Sequence, residues 1–300
     1  MNKLSVVINT RNAEKTLEKC LKSVRFADEI IIVDMESSDS TLSIAKKFTS
    51  KIFNHKNVGY ADPARNFALK KAANNWVLVV DADEEISATL KKKINSLINT
   101  DSKFDIYLLP RKNLIFNKWI QHSGWWPDYQ ARLFRKGHVS WQVGVHRMPD
   151  LRGLANKLTA NEDNALIHYN YDSINHFIEK MNHYTSIQAK ERKSPANVTS
   201  LLVMNNFFNE FYRRFFKDSG YEDNTHGLSL ALLQSMYELV ILLKQWENDS
   251  FKEANCSDSD LEALIRNISP SLNYWLADKN VKKAKGVNKV YWMIRRKLKI

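Results

Sequence analysis

Glycine is scarce in this chain, with 8 in 300 residues, and none falls into GxGxxG or GxxxxGK spacing. The backbone loops that cradle dinucleotides and triphosphates are therefore excluded. Cysteine is scarcer still. Cys20 and Cys256 stand far apart with no CxxC, which excludes a disulfide framework and a zinc knuckle and points to a reducing compartment. Long apolar runs are missing as well. The first, within MNKLSVVINTRN, spans only five residues, too short for a signal-peptide core, so no secretion is expected. The longest, Leu228 to Leu243, is broken by Gln234, Ser235 and Glu238. It falls short of the ~20 clean residues of a spanning helix and reads as a packed or membrane-surface helix. No repeat and no low-complexity segment is present.

What is there is a globular composition, 44% hydrophobic and 26% charged, with a formal net charge of +12. Such a charge suits a polyanionic partner: nucleic acid, a phosphate-bearing ligand or an anionic membrane. The first half alternates strand and helix signals. Apolar runs at Leu4–Ile8, Glu29–Asp34, 51–55 and 76–80 are separated by segments of helical spacing. Asp39 or Ser40, Asp62 followed by Pro63, and Ser87 are placed to open helices. Short continuous apolar strands between helices predict βαβ units and a mostly parallel sheet covered on both faces. From Asp105 to about Tyr171 short strands follow without long helices, and beyond Asp172 the chain reads as helix after helix. The expected division is an α/β region over 1–172 and a helical region over 173–300.

In open parallel sheets ligands bind at the carboxyl ends of the strands. This chain puts Thr10, Arg11 and Asn12 after the first strand, Asp34 and Asp39 after the second, and Asp81 and Asp83 after the fourth. Arg65 opens a helix. With no glycine cradle, a diphosphate can be held by a divalent cation such as Mg²⁺, which takes one or two carboxylates and leaves the rest to phosphate and water. If extended backbone continues through WVLVVDAD, Asp81 and Asp83 share a side and Ala82 points away. The plainer alternative is a solvated acidic first turn, with Glu84 and Glu85 favouring a helix N-terminus. Asp34 and Asp39 can likewise be turn and cap residues.

The ordered segments LSVVINTRN, EIIIVDMESSDST, GYADPARNFALKKA and WVLVVDADEEI resemble the GT-A (Rossmann-like) half of an inverting family-two glycosyltransferase. The resemblance implies a nucleotide-sugar donor. It implies contacts from Asp34 and Asp39 to base and ribose, with Thr10 and Asn12 beside them, and places Arg65 in the diphosphate pocket. Asp81 and Asp83 would form the D-x-D motif on Mg²⁺ or Mn²⁺, with Asp83 the more direct ligand. A second stretch, GWWPDYQARLFR, is similar to that of lipopolysaccharide inner-core glucosyltransferases of the WaaE type, which implies donor or acceptor contacts at Trp126, Gln130 and Arg132. Inverting transfer needs a base for the acceptor hydroxyl. Asp128 is the best-placed carboxylate by sequence, and the Trp125–Trp126 pair suits a sugar face or, alternatively, the core. Where that group carries VHE this chain has His146–Arg147, a departure. His146 is a candidate metal ligand, His168 a rival, and both are open to a structural reading. The QxxRW of processive synthases is not matched. The resemblance runs from Leu4 to about Glu247.

In the helical region, Phe207 to Phe216 forms an aromatic stripe with Arg213, Arg214 and Lys217 close by, suited to a membrane interface or to a core. Residues 279–300 hold nine Lys or Arg and no acid, with Tyr291, Trp292, Met293 and Ile294 among them. This segment is either a surface anchor on anionic lipid or a solvated tail. The expected reaction is metal-dependent transfer of a hexose, glucose from UDP-glucose being the first choice, to a lipid-linked saccharide. Its expected place is the cytoplasm, peripheral at the inner face of the cytoplasmic membrane. The alternatives are transfer to a polyprenyl phosphate and a nucleic-acid-binding protein. No RNA- or DNA-binding motif supports the latter, so no nucleic-acid partner is expected.

Overall fold

A computed structural model describes residues 2–142, 148–195, 197–252, 254 and 257–300. The chain divides into two compact units, one of residues 1–119 with 125–172, the other of 120–124 with 173–300.

The first unit is built on four parallel strands, of which the first, second and fourth are buried along nearly their whole length and the third is half-buried to exposed. These are β1 (Leu4–Thr10), β2 (Glu29–Asp34), β3 (Ile52–Asn54) and β4 (Trp76–Asp81). Between them run α1 (Leu17–Ser23), α2 (Thr41–Ala45) and α3 (Asp62–Lys71). After β4 come β5 (Glu84–Glu85), α4 (Ala88–Asn99), β6 (Ile106–Leu109), β7 (Arg111–Ile115), β8 (Lys118–Trp119) and β9 (Gln130–Arg135). The unit closes with β10 (Val139–Ser140), β11 (Asp150–Leu151), β12 (Ala155–Lys157) and β13 (Leu166–Tyr171). The main sheet has the order β12-β6-β9-β4-β1-β2-β3, and β5-β13-β7-β8 form a second sheet. Strands β4, β1, β2 and β3 are parallel, while β9 runs antiparallel between β4 and β6.

Period-two alternation sends Val6 and Ile8 of β1 to one face, packed with Leu17, Leu21, Leu90 and Ile94 from α1 and α4. Val7, Val33 and Val79 go to the other face, against Ala64 and Ala68 of α3. Small alanines on that helix let it lie close to the sheet. Asn9 and Asp81, paired across β1 and β4, continue the α3 face to the carboxyl ends of the strands. Ser87 caps α4 as its sequence promised, accepting from Leu90 N–H at 3.1 Å. Of the short strands expected after Asp105, the one in VSWQVGVH is observed only as β10, and residues 143–147 lie outside the described residues.

The second unit is helical: α5 (Ile174–Glu191), α6 (Ser200–Tyr212), α7 (Asn224–Asn248), α8 (Asp258–Lys283) and α9 (Gly286–Leu298). The aromatic stripe of α6, which continues into a π-helical turn over Arg213–Lys217, is half-buried, its rings packed on one another and on Trp275. Its basic company is engaged, since Arg213 and Arg214 both pair with Glu210. That is core packing. The stretch 228–243, read from sequence as short of a span, lies in α7, which runs on from a 3-10 turn over Gly220–Asp223. By length and composition that helix is apolar enough to cross a membrane, because its apolar residues outweigh Gln234, Ser235 and Glu238. Part of its polar set is spent on α5: Tyr237 accepts from Gln188 at 2.8 Å, and Glu238 pairs with Arg192 at 2.7 Å.

Candidate active site

The carboxyl ends of β1, β2 and β4 gather the expected acids, and the structure adds the groups that hold them. Asp81 ends β4. One carboxylate oxygen accepts from Arg65 at 2.6 Å and the other from Arg132 of β9. Arg65 also reaches Asp62 at 2.7 Å, and Arg132 reaches Glu84 at 2.6 Å. Glu84 in turn accepts from the Asp81 N–H at 2.9 Å and lies 3.5 Å from Arg111. Arg111 donates to Asp128 through Nε at 2.8 Å and Nη2 at 2.6 Å. Four carboxylates and three guanidinium groups thus alternate from Asp62 to Asp128, formally one negative charge in excess. Burial would raise the Asp81 pKa, but Arg132 and Arg65 override it and hold the carboxyl well below the usual range.

The D-x-D expectation needs correction in its geometry. The strand stops at Asp81, and Ala82 and Asp83 form a turn before β5, so the two acids do not lie on one extended strand. Asp81 is taken by two arginines instead of being presented to a cation. Asp83 Oδ2 lies 3.5 Å from His168 Nε2. The His168 ring is oriented by Asn113, whose Nδ2 donates to the Trp125 carbonyl at 2.9 Å and whose Oδ1 faces His168 Nδ1 at 2.7 Å. An amide oxygen can only accept, so Nδ1 carries the proton and Nε2 is turned to Asp83. Among the described residues, no group of three or more His, Cys, Asp and Glu is gathered as a metal cluster. His146 lies outside the described residues. Glu84 and Glu85 do not open a helix. They form β5, paired with His168 and Ile167 of β13.

Asp34 is buried and accepts from Ser37 N–H at 3.0 Å and Ser37 Oγ at 2.5 Å. Asp39 accepts from Glu14 N–H at 3.1 Å and Thr41 N–H at 3.0 Å. Burial acts to raise its pKa, but these bonds prevail and hold the carboxyl low. Asn12, with φ 48°, ties the loops together, its Oδ1 accepting from Ser38 N–H at 2.8 Å. Thr10 and Asn9 are buried, and the Thr10 hydroxyl and both polar atoms of the Asn9 amide have no partner among the described residues.

Asp128 is clamped. Besides Arg111, Asn113 donates to it at 3.2 Å and Gln130 at 2.7 Å. Burial raises its pKa, yet Arg111 and these bonds prevail and leave it below the ordinary value. A carboxylate so held is a weak base until Arg111 moves away. Trp126 packs edge-to-face on Trp119, centroids 5.1 Å apart, and Trp125 on Tyr171 at 6.5 Å. Arg111, Asn113 and Asn9 were not singled out from sequence, and Glu84 was read only as favouring a helix N-terminus. The available signal was the polar residues at alternate positions of β7, Arg111 and Asn113, on the face of buried Ile115.

Residues 5–148 match the family model described as Glycosyl transferase family 2. An uncharacterized glycosyltransferase of Rickettsia bellii is 31% identical over 234 residues, covering 71% of this chain and 78% of that protein. The lipopolysaccharide core biosynthesis glycosyltransferase LpsC of Rhizobium meliloti is 22% identical, over 83% of this chain and 94% of LpsC. Among solved structures, Staphylococcus aureus TarS 1–349 in complex with UDP is similar with a TM-score of 0.45 and 18% identity, over 85% of this chain and 94% of that one.

Proposed function

This chain belongs to the glycosyltransferases and carries their family 2 domain, and from that premise we propose that it moves a hexose from a UDP-sugar to a lipid-linked saccharide with inversion. Glucose is the first choice of sugar. The observation that carries the reading is the alternating ladder of arginines and carboxylates at the strand ends, with Asp83 and His168 side by side next to it. The first unit has the GT-A-like fold, which opens at these ends. The name of the Rhizobium relative supports a lipid-linked acceptor, expected at the cytoplasmic face of the membrane.

The site fits a divalent cation. Its ladder carries one excess negative charge, Asp83 adds another, and the ring tautomer of His168 turns Nε2 toward that carboxylate. Asp83 and His168 would hold Mg²⁺ or Mn²⁺, a hard cation suited to carboxylate and phosphate oxygen. When bound, the metal would neutralise the diphosphate and ease its departure. Arg65 and Arg132 would orient the diphosphate, and Asp34, Asp39, Thr10 and Asn12 the nucleoside. Trp126 and Trp119 would offer ring faces to the acceptor. Asp128 would take the proton of the attacking hydroxyl as the new bond to the anomeric carbon forms and the bond to the diphosphate oxygen breaks. To do so it must exchange its Arg111 contact for the acceptor.

Calorimetric titration of UDP with and without Mn²⁺ tests the donor half. Binding is expected to need the metal and to weaken at least tenfold in Asp83→Ala and in His168→Ala. Metal-independent binding, unchanged in both variants, would sink this assignment. A hydrolysis screen over UDP-sugars then identifies the sugar.

A further inference from the structure

The last helix presents its apolar side outward. α9 packs on α8, where Arg296 Nη1 donates to Asp278 at 2.8 Å, and Trp292, Arg295 and Arg296 are its half-buried residues on that stretch. Val287, Val290, Tyr291, Ile294 and Leu298 repeat at the i, i+3, i+4, i+7, i+11 spacing of one helix face. Each is more than half exposed, Val287 at 85%. In a helix that only packs against its neighbour this stripe would face α8. Here the neighbour receives the cationic side and the aliphatic side is left open.

The charge says what covers it. Residues 279–300 hold nine Lys or Arg and no acid. Lys282 and Arg296 pair with Asp278, and Lys283 pairs with Glu222. Lys285, Lys289, Lys297 and Lys299 have no acidic partner among the described residues. A second copy seated on the same stripe across a two-fold axis would set these cations against their own images, which repels. A nucleic acid would satisfy the cations but leave five apolar side chains against phosphate. An anionic lipid bilayer satisfies both, with headgroups for the lysines and the acyl boundary for the stripe.

We propose that α9 is a membrane-docking helix whose Val287–Leu298 face lies in the headgroup–acyl boundary of an anionic bilayer. Of the four hydrophobic residues that the sequence offered for insertion, Trp292 is half-buried off the stripe, and Val287, Val290 and Leu298 join the inserting face. The proposal deepens the reading above and rests on its lipid-linked acceptor. Vesicle binding and donor binding are nevertheless separate measurements, so either can fail alone.

The experiment is flotation of the full chain with phosphatidylcholine vesicles containing or lacking phosphatidylglycerol. The chain is expected to float with the anionic vesicles and stay behind with the neutral ones. Val290→Ser combined with Ile294→Ser should lower the bound fraction at least tenfold, with an unchanged circular dichroism spectrum and unchanged UDP binding. Lys289→Gln combined with Lys297→Gln should lower it partly, as should 1 M salt, where the Debye length is about 3 Å. Three outcomes would overturn the proposal: flotation of the serine variant equal to wild type, equal binding to neutral vesicles, or a concentration-dependent dimer that the serine pair abolishes. The last would show that a second copy covers the stripe.

Discussion

Asn9 sits one residue before the end of β1 with a buried amide that has no partner among the described residues. Such a group costs about 1–3 kcal/mol unless a ligand or an ordered water satisfies it. It lies across the ladder from Asp81, on the face where Arg65 reaches in. Asn9→Leu, close in size and without polar atoms, is therefore expected to stabilise the protein by about 1–3 kcal/mol in urea denaturation. The same variant should weaken UDP binding in calorimetry. A variant with unchanged stability and unchanged UDP binding would show that water already satisfies the amide and that the donor does not use it. At this scale the sequence was informative where a continuous apolar run ended in an acid, as at Asp34 and Asp81. It was silent on Arg111 and Asn113 and misplaced Glu84 at a helix N-terminus. Their partners come from β5, β7, β9 and β13, brought together by parallel and antiparallel pairing of strands distant in sequence, which no local pattern encodes. It also could not tell that the strand stops at Asp81, because the turn at Ala82–Asp83 contains no Gly, Pro or Asn.

Among the elements, α7 shows most plainly how a single position governs packing. Gly227 lies where a Cβ would stand 1.7 Å from the Gly220 carbonyl oxygen, backbone that cannot swing away. Gly220 in turn leaves no room for a Cβ, which would meet Ser123 Oγ at 2.5 Å. Gly227→Ala is thus expected to cost about 1–3 kcal/mol or more through overpacking, although alanine has the better helix propensity. Thermal denaturation decides it: an alanine variant as stable as the parent would mean that the helix shifts freely at its start. The regular elements of the first unit were legible because their burial is two-sided and nearly continuous along each strand. The place of β9, between β4 and β6, was not. Its six residues look the same whether a strand lies at an edge or inside a sheet.

For the molecule as a whole, the chain enters the helical unit twice, first for only five residues. In Ile120–Gly124 the N–H groups of Gln121 and His122 donate to Asp223 at 3.2 and 2.8 Å, and that of Ser123 to the Asp218 carbonyl at 2.8 Å. Arg214 donates to the Ser123 carbonyl at 2.7 Å. A fragment ending at Asp172 would lose all of these partners. Hydrogen exchange on that fragment is expected to show 120–124 unprotected, in contrast to the intact chain, with β1 and β4 protected in both. Protection of 120–124 in the fragment would mean that the segment holds itself. The sequence boundary near 172 did not foresee this excursion, because nothing in IQHSG distinguishes it from an ordinary loop.

The excursion also bears on ancestry. A gene rearrangement that replaced everything after position 172 with the helical half of a relative would leave a foreign pentapeptide lodged against Arg214, Asp218 and Asp223. Shuffling of the helical half therefore needs two junctions matched at once. Descendants of this chain should drift in step at Ile120–Gly124 and at those three contacts, although 91 to 101 residues separate them.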